Sequence, residues 1–491
     1  MSSSDPLWEA LQARLADLGG RGAGDLTEGT IVVLPSLSFP PEELRKILGA
    51  ARYEERLLCL VLMLRAPELE MVYVTSTPID PAVVDYYLSF LPTSARTRLH
   101  LVALDDPEPS GLSEKLLKRP EAVDAIRAAV TDPQRAYIVP FNVTEAERDV
   151  ALALDIPILG PSPELVWLGG KSGSRAIARA AGVAVLPGAE DLYSTDAVED
   201  AIAKLQLDKP EATAVVVKLN EGFSGQGNAI IRLSGPVHPL HAAPTVFCAS
   251  EESWESFGPK IAAQGAIVEQ ELRTEKMHSP SVQLRIAPDA SVEIVSTHDQ
   301  ILGGPDDQVY LGCRFPADPA YREPIVAAAR RIADELARRG VIGTFGADFI
   351  VVADNGGWDV FLSEINLRLG GTTHPFLMAK LALDATYDQE SGELLAGGRP
   401  VHYVSTDNLK SDAYKKLAPR AIIDALAERG LSYDPDARAG TFVHLLGATQ
   451  PYGKLGLLCV AASQEAADDL YADSVAALDE AAQSAYASGE A

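Results

Sequence analysis

The sequence predicts a multidomain protein of mixed α/β and α+β class. Three observations predict it. The first 160 residues alternate short apolar strands with helical segments. From Ala214, AVVVKLNEGFSGQGNAIIRL reads as strand, glycine-rich loop, strand. From Gly346 to His374, GADFIVVADNGGWDVFLSEINLRLGGTTH reads as a hairpin that carries two acids and an amide. A chain of 491 residues also exceeds one core, so two to four domains are expected.

Thr30 to Leu34, Met71 to Thr75, Leu99 to Leu104 and Tyr137 to Val139 read as strands. Helical patterns fall between and after them, over Pro41 to Leu64, Ser113 to Val130 and Thr144 to Leu154. The first opens on Pro-Pro and Glu42-Glu43, residues that suit a helix start. This alternation predicts a Rossmann-like parallel α/β domain over 1–160. No G-x-G-x-x-G follows a strand, so a dinucleotide-binding role is unsupported. The turn residues of ILGPSP, Ile158 to Pro163, mark a domain boundary.

Lys171 begins an Ala- and Arg-rich helix that ends at Gly182. Gly170-Lys171-Ser172 is similar to the end of a Walker loop, but position 165 is Leu where that loop needs glycine. Lys218 ends the apolar strand from Ala214. Gly222, Gly225 and Gly227 punctuate the turn before Asn228 to Leu233. Such a loop lets backbone N–H groups approach phosphate oxygens, with a lysine beneath to supply charge. Taken alone, a surface hairpin with a snorkelling lysine is the commoner meaning.

Ser253 to Gln264 reads as a helix, and Ala266 to Leu272 as a strand that ends in the alternating acids Glu269 and Glu271. Val282 to Ile286 and Val292 to Thr297 form an antiparallel pair around Pro288-Asp289. Pro319 to Arg339 is a helix closed by Gly340.

In the next hairpin, Phe349 to Val352 and Val360 to Leu362 are the strands, and Asn355-Gly356-Gly357 is the turn. A three-residue loop makes Asp348 and Glu364 direct partners on one sheet face, with Asn366 beside them. A two-residue loop would place the acids on opposite faces. Opposed carboxylates repel unless a cation lies between them. An oxygen-only set suits a hard ion such as Mg²⁺. The plainer alternative is two acids on a solvated hairpin.

Beyond residue 400, Lys415 to Arg429 is a helix. Thr441 to Leu446 and Leu455 to Ala461 are strands joined by a turn at Gln450 to Gly453. Ser463 to Ala487 is an acidic, alanine-rich helix capped by Ser463. This predicts a small α+β domain over 401–491.

The formal charge of −27 disfavours nucleic acid and anionic membranes as partners. No apolar run is long enough to span a bilayer, the longest being Leu57 to Leu64, and the N-terminus lacks a secretory signal pattern. Cys59, Cys248, Cys313 and Cys459 form no C-x-x-C pair, which fits a reducing cytoplasm.

In order, the chain carries Lys171 before a helix, Lys218 before a glycine loop, an acidic strand end at Glu269 to Leu272, and Asp348, Glu364 and Asn366. This order resembles the ATP-grasp superfamily of carboxylate–amine ligases, which includes D-alanine–D-alanine ligase. The matching part is about half of the chain. As a whole the chain looks most like the pheganomycin-type peptide ligases, natural-product enzymes with pre-grasp, grasp and small C-terminal domains. The pieces that carry this likeness are GPSPELVWLGGKSGSR, KLNEGFSGQGN, SEINLRLGG, STDNLKSDAY and QPYGKLG.

The resemblance implies an ATP-grasp domain over 161–400, divided at 265/266. It implies that Lys171 and Lys218 contact the ATP phosphates, with Ser224, Gly225, Gln226 and Gly227 folded over the β- and γ-phosphates. Glu269 and the backbone of Glu271 and Leu272 would hold adenine. Asp348, Glu364 and Asn366 would hold two Mg²⁺ ions, for which Mn²⁺ could substitute. A small carboxylic acid or amino acid would be phosphorylated, and the amine of a peptide or amino acid would displace phosphate. Arg368 and the Gly370-Gly371 N–H groups would neutralise the acyl phosphate or orient the substrate carboxylate.

D-alanine–D-alanine ligases carry an arginine where this chain has Gly346, so another arginine must serve. Arg285 and Arg368 are the catalytic candidates, and Arg314 is a weaker one. Glu275 is a candidate for the ribose. His298 and His374 are candidate bases, although a lone histidine is more often structural. The missing arginine leaves a second reading, an ATP-binding scaffold without turnover. A homodimer through the first domain is a further expectation.

Overall fold

The computed structural model describes residues 6–18, 25–45, 47–222, 227–235, 237–274, 276–304, 309–354 and 356–488. The first sheet is parallel throughout. Its strands are β1 (Glu28–Leu34), β2 (Glu68–Thr75), β3 (Leu99–Ala103) and β4 (Ala136–Pro140), in the order β3-β2-β1-β4. Successive residues of β1 face opposite cores. Ile31 and Val33 lie in one hydrophobic cluster, Val32 and Leu34 in another. Helices cover both faces, which is why these strands are apolar runs rather than alternating ones.

Prolines and a glycine divide two helices that the sequence pattern joined. Pro41 to Leu64 is a short helix, Pro41–Leu44, and a separate 3₁₀ segment, Ala50–Arg65, with Gly49 at φ 76° between them. Ser113 to Val130 splits at Pro120 into Leu112–Leu117 and Pro120–Ala129. Proline keeps the preceding Arg119 out of helical geometry, at φ −127° and ψ 81°.

The second sheet is antiparallel. Its strands are β5 (Gly188–Leu192), β6 (Ala214–Leu219), β7 (Asn228–Arg232), β8 (Thr245–Phe247) and β9 (Ala266–Gln270), in the order β5-β9-β6-β7-β8. The helices Thr195–Asp208 and Trp254–Gln264 bury Val198, Ile202, Phe257 and Ile261 against it.

The third sheet has eleven strands: β10 (Met277–His278), β11 (Pro280–Ile286), β12 (Val292–Gly303), β13 (Val309–Phe315), β14 (Gly343–Asp354), β15 (Gly357–Asn366), β16 (Thr386–Tyr387), β17 (Leu394–Ala396), β18 (Arg399–Lys410), β19 (Gly440–His444) and β20 (Lys454–Ala461). The helix Pro319–Arg338 packs Ile325, Ile332 and Leu336 onto Val282, Leu284 and Phe345. β18 pairs with β13 on one side and β20 on the other, so the sheet continues into the last hundred residues. There, Pro419 divides the expected helix into Asp412–Lys416 and Pro419–Glu428. Two short helical turns, Leu446–Ala448 and Thr449–Tyr452, replace the simple turn between β19 and β20. Among the described residues, no helix is long and apolar enough to cross a membrane.

Three histidines are sealed inside. His298 is bonded through Nε2 to the Tyr403 hydroxyl at 2.7 Å, and the rings of His374 and His444 meet edge to face at 4.7 Å. Burial pushes His298 down to about 3 and His444 to about 4. Burial and the neighbouring His444 push His374 well down too. Freed by unfolding, each titrates near 6.5, so below that pH the unfolded chain binds more protons than the native one. The stability present above about pH 6.5 is therefore lost on acidification, by about 1.4 kcal/mol per pH unit for each histidine. Buried Glu54 and Glu55, pushed up to about 7, act in the opposite sense, so thermal melts are expected to fall gently from about pH 6.5 to about pH 5. A flat profile over that window would contradict this.

Candidate active site

β14 and β15 set the geometry of the acids. Asp354 pairs with Gly357, so two residues separate the strands, not three. Asn355 itself lies outside the described residues. That turn alone would put Asp348 and Glu364 on opposite faces. A β-bulge corrects the register: Phe349 pairs with Leu362, Asp348 with Glu364, and Ser363 is the extra residue. Gly346 pairs with Asn366, and Asp348, Glu364 and Asn366 come together. Asn366 Nδ2 donates to Asp348 Oδ2 at 2.9 Å and to Glu364 Oε1 at 3.0 Å. Burial raises the Asp348 carboxyl above its ordinary range, against the opposing effects of Ser281 and Lys171.

Lys171, the first residue of the helix Lys171–Ala180, is bonded to Glu364 and reaches the Gly222 carbonyl at 3.3 Å. Burial, then Lys218 and Arg368, push its ammonium down to about 7. Asn220 holds this helix start, its Oδ1 accepting from the Ser172 N–H at 3.0 Å and the Ser172 hydroxyl at 2.9 Å. Lys218 on β6 is paired with Glu269 on β9, whose other oxygen faces Arg175 at 3.6 Å. The Glu269 carboxylate thus faces two cations, which fix it in place.

The Glu271 N–H donates to the Ala214 carbonyl at 3.0 Å. Its carboxylate holds Arg232 at 2.6 Å and Arg273 at 3.0 Å. Leu272 follows, half-buried. Ser224, Gly225 and Gln226 lie outside the described residues, as does Glu275. The ends of their loop meet closely. A Cβ on Gly227 would lie 2.8 Å from the Gly222 Cα, so the neck of the loop admits only glycine.

The acids open onto a cavity of about 290 Å³, where Arg368 joins them. The Arg368 guanidinium donates to Asn366 Oδ1 at 3.0 Å and to the Leu369 carbonyl at 3.1 Å. It lies 5.8 Å from the Phe141 ring centre, and burial pushes it down to about 10. Of the expected donors beside it, the Gly370 N–H is already given to Thr373 Oγ1 at 2.9 Å. Thr373 in turn donates to Gln283 Oε1, also at 2.9 Å, and this chain of bonds fixes the turn.

Two candidate arginines are not brought to the cavity. Arg285 lies further along β11, held by Asp25 and Glu293. Arg314 pairs with Asp468 at 3.0 Å near the surface. At Gly346 a Cβ would sit 2.9 Å from Gln283 Nε2, so a side chain there would require that amide to shift. His298 lies away from the cavity, and His374 is a buried neighbour of its Gly370–Thr372 wall. The same cavity contains residues that the motifs did not assign: Tyr53, Arg56, Asp407, Lys410 and Lys454. The last three fall within STDNLKSDAY and QPYGKLG, stretches visible in sequence without a role.

The family described as IQCH-like, ATP-grasp matches residues 164–246 and 240–382, and the PGM1 C-terminal domain matches 421–473. An L-propargylglycine–L-glutamate ligase of Streptantibioticus cattleyicolor is 32% identical over 453 residues, covering 89% of this chain and 92% of its own. The chain belongs to the ATP-grasp carboxylate–amine ligases. The IQ motif-containing protein H of Danio rerio is 21% identical to the ligase over 89% of it, though over only 47% of its own length. Among solved structures, an ADP complex of an N5-carboxyaminoimidazole ribonucleotide synthetase has a TM-score of 0.53 at 15% identity, covering 92% of the ligase and 97% of itself. Biotin carboxylase from Campylobacter jejuni also reaches 0.53, at 17% identity and 89% of both chains. These two show the fold alone. The ligase uses ATP, and the reading as a scaffold without turnover is not favoured.

Proposed function

We propose that the ligase joins a small α-amino acid or carboxylic acid to the amine of an amino acid or peptide, through an acyl phosphate, in the cytoplasm. The observation that carries this reading is the opening of the Asp348–Glu364–Asn366 cluster into the cavity that holds Arg368. The relative named for joining L-propargylglycine to L-glutamate supports the amino-acid substrates. The free thiols Cys59, Cys313 and Cys459, all buried, suit a reducing compartment.

The three side chains fit Mg²⁺ by their chemistry: two carboxylates and an amide oxygen, with room left for phosphate oxygens and water. Asn366 here gives its amide nitrogen to both acids and its oxygen to Arg368, so a cation between the acids would require the amide to turn and present that oxygen. Bound there, one or two Mg²⁺ ions would offset the charge of the β- and γ-phosphates. Lys171 and Lys218 neutralise the phosphates from the other side. Glu269 holds Lys218 by an ion pair. The backbone of Glu271 and Leu272 borders the base.

The substrate carboxylate attacks the γ-phosphorus as the bond to ADP breaks. Arg368 binds the resulting acyl phosphate and offsets its negative charge. The amine then adds to the acyl carbon, loses a proton and expels phosphate.

The test is ADP release with ATP, Mg²⁺ and panels of acids and amines, with product masses read in parallel. Amine-dependent ADP and a condensed product are expected. ADP release unaffected by any amine would refute the ligase reading. Lys218→Ala is expected to raise the KM for ATP by about tenfold or more, the loss of one charge-assisted bond. An unchanged KM would remove its phosphate role.

A further inference from the structure

One wall of the cavity has no part in the phosphoryl transfer described above. Three separate segments build it. Arg56 comes from the 3₁₀ segment Ala50–Arg65, Asp407 and Lys410 from the end of β18, and Lys454 from the start of β20. Arg56 is ion-paired with Asp407, and its guanidinium carbon lies 3.9 Å from the centre of the Tyr53 ring. Lys454 Nζ is bonded to the Tyr53 hydroxyl and lies 4.5 Å from the same ring centre. Tyr53 therefore holds two cations side by side.

The charges on this wall do not balance. Arg56, Lys410 and Lys454 face one acid, Asp407. Among the described residues, neither Lys410 nor Lys454 has a carboxylate within ion-pair distance, although Lys454 is only 4% exposed. Burial pushes the Lys454 ammonium down to about 7; Asp407 opposes this, and Arg56 and Lys410 add to it. The buried Lys454 shares its one nearby acid, Asp407, with Arg56, and a bound anion would supply the missing counter-charge. Elsewhere the lining includes an apolar group, Leu37, Phe39, Leu48, Phe141 and Leu302, beside the polar Gln300 and Asn408.

These two linings divide the reactants. The acid substrate must give its carboxylate to the acidic cluster and Arg368, so an apolar acid has no anion left for the second wall. Its side chain suits the apolar lining. The amine substrate keeps its own carboxylates through the reaction. A cavity of about 290 Å³ is also at the small end of ligand pockets, which favours single amino acids over long peptides.

We propose that Arg56, Lys410 and Lys454, held by Tyr53 and Asp407, form a carboxylate-binding subsite that selects an acidic α-amino acid as the amine substrate. The inference rests on the ligase reading. It makes Lys410 and Lys454 specificity residues for the second substrate, outside the nucleotide site.

The test uses the full chain with ATP, Mg²⁺ and a panel of apolar L-amino acids as donors. The amines are L-glutamate, L-aspartate, L-glutamine, L-alanine and L-lysine. Wild type is expected to favour L-glutamate or L-aspartate over L-glutamine by about tenfold or more in kcat/KM, the worth of a charge-assisted bond. Lys410 is exposed at its base, so Lys410→Ala tests the wall without opening the core. That variant is expected to lower the acidic-to-amide ratio by about tenfold, mainly through KM for the amine, and Lys410→Arg to restore it. Lys454→Met is the second variant, with the same expected direction. Equal or better use of L-glutamine or L-alanine by wild type would overturn the subsite while leaving the ligase reading standing. So would an unchanged ratio in both variants. If no amine in the panel supports turnover with any donor, the ligase reading falls and the subsite with it.

Discussion

Glu364→Gln is expected to lower Mg²⁺-dependent turnover by about a hundredfold or more, with the fold retained. The glutamine keeps the shape and the bond to Asn366 but removes a formal charge at the point where phosphate charge must be offset. It also removes the ion pair to Lys171, so that buried ammonium loses its nearest counter-charge. A shift to higher Mg²⁺ demand should accompany the loss of rate. Steady-state ADP release at varied Mg²⁺ reads both. Unchanged rates would remove the metal assignment from this face of the hairpin.

Arg368→Ala is expected to lower kcat by about a hundredfold to a thousandfold, with ADP affinity little altered. Arg368 sits between the acidic cluster and the cavity, with one nitrogen on Asn366 Oδ1 and the aromatic ring of Phe141 beside it. Arg368→Lys keeps the charge without the two-pronged geometry, so most of the loss should remain. Arg285→Met provides the contrast. Its guanidinium is committed to Asp25 and Glu293, so its loss should lower stability and leave the chemical step largely intact. Trapping the acyl phosphate with hydroxylamine in each variant checks the difference. Full hydroxamate formation by Arg368→Ala would assign the acyl phosphate to another cation.

Local patterns explain what was legible beforehand. The parallel first sheet follows from apolar runs separated by helices, and β1 buries both faces as such a run requires. The gathering of Asp348, Glu364 and Asn366 was also readable, although by a wrong route. A three-residue turn and a two-residue turn with a bulge at Ser363 give the same final pairing, and residue identity does not announce a bulge. Helix breaks at Pro120 and Pro419 were under-read, because the periodicity on each side continues across them.

The second wall of the cavity was not legible. Arg56 and Asp407 meet across 351 residues, and Tyr53 and Lys454 across 401. No spacing rule links such positions. The choice between Arg285 and Arg368 had the same cause. Each lies on a strand or turn beside the acids, and only three-dimensional register shows that Arg285 is occupied by Asp25 from near the N-terminus.

The most direct measurement is the position of the γ-phosphate in a crystal structure with a non-hydrolysable ATP analogue and Mg²⁺. The account predicts metal density among Asp348, Glu364, Asn366 and the phosphate oxygens, with the γ-phosphate facing Arg368 at the mouth of the cavity. A triphosphate bound elsewhere, with these three side chains still hydrogen-bonded to one another, would contradict it.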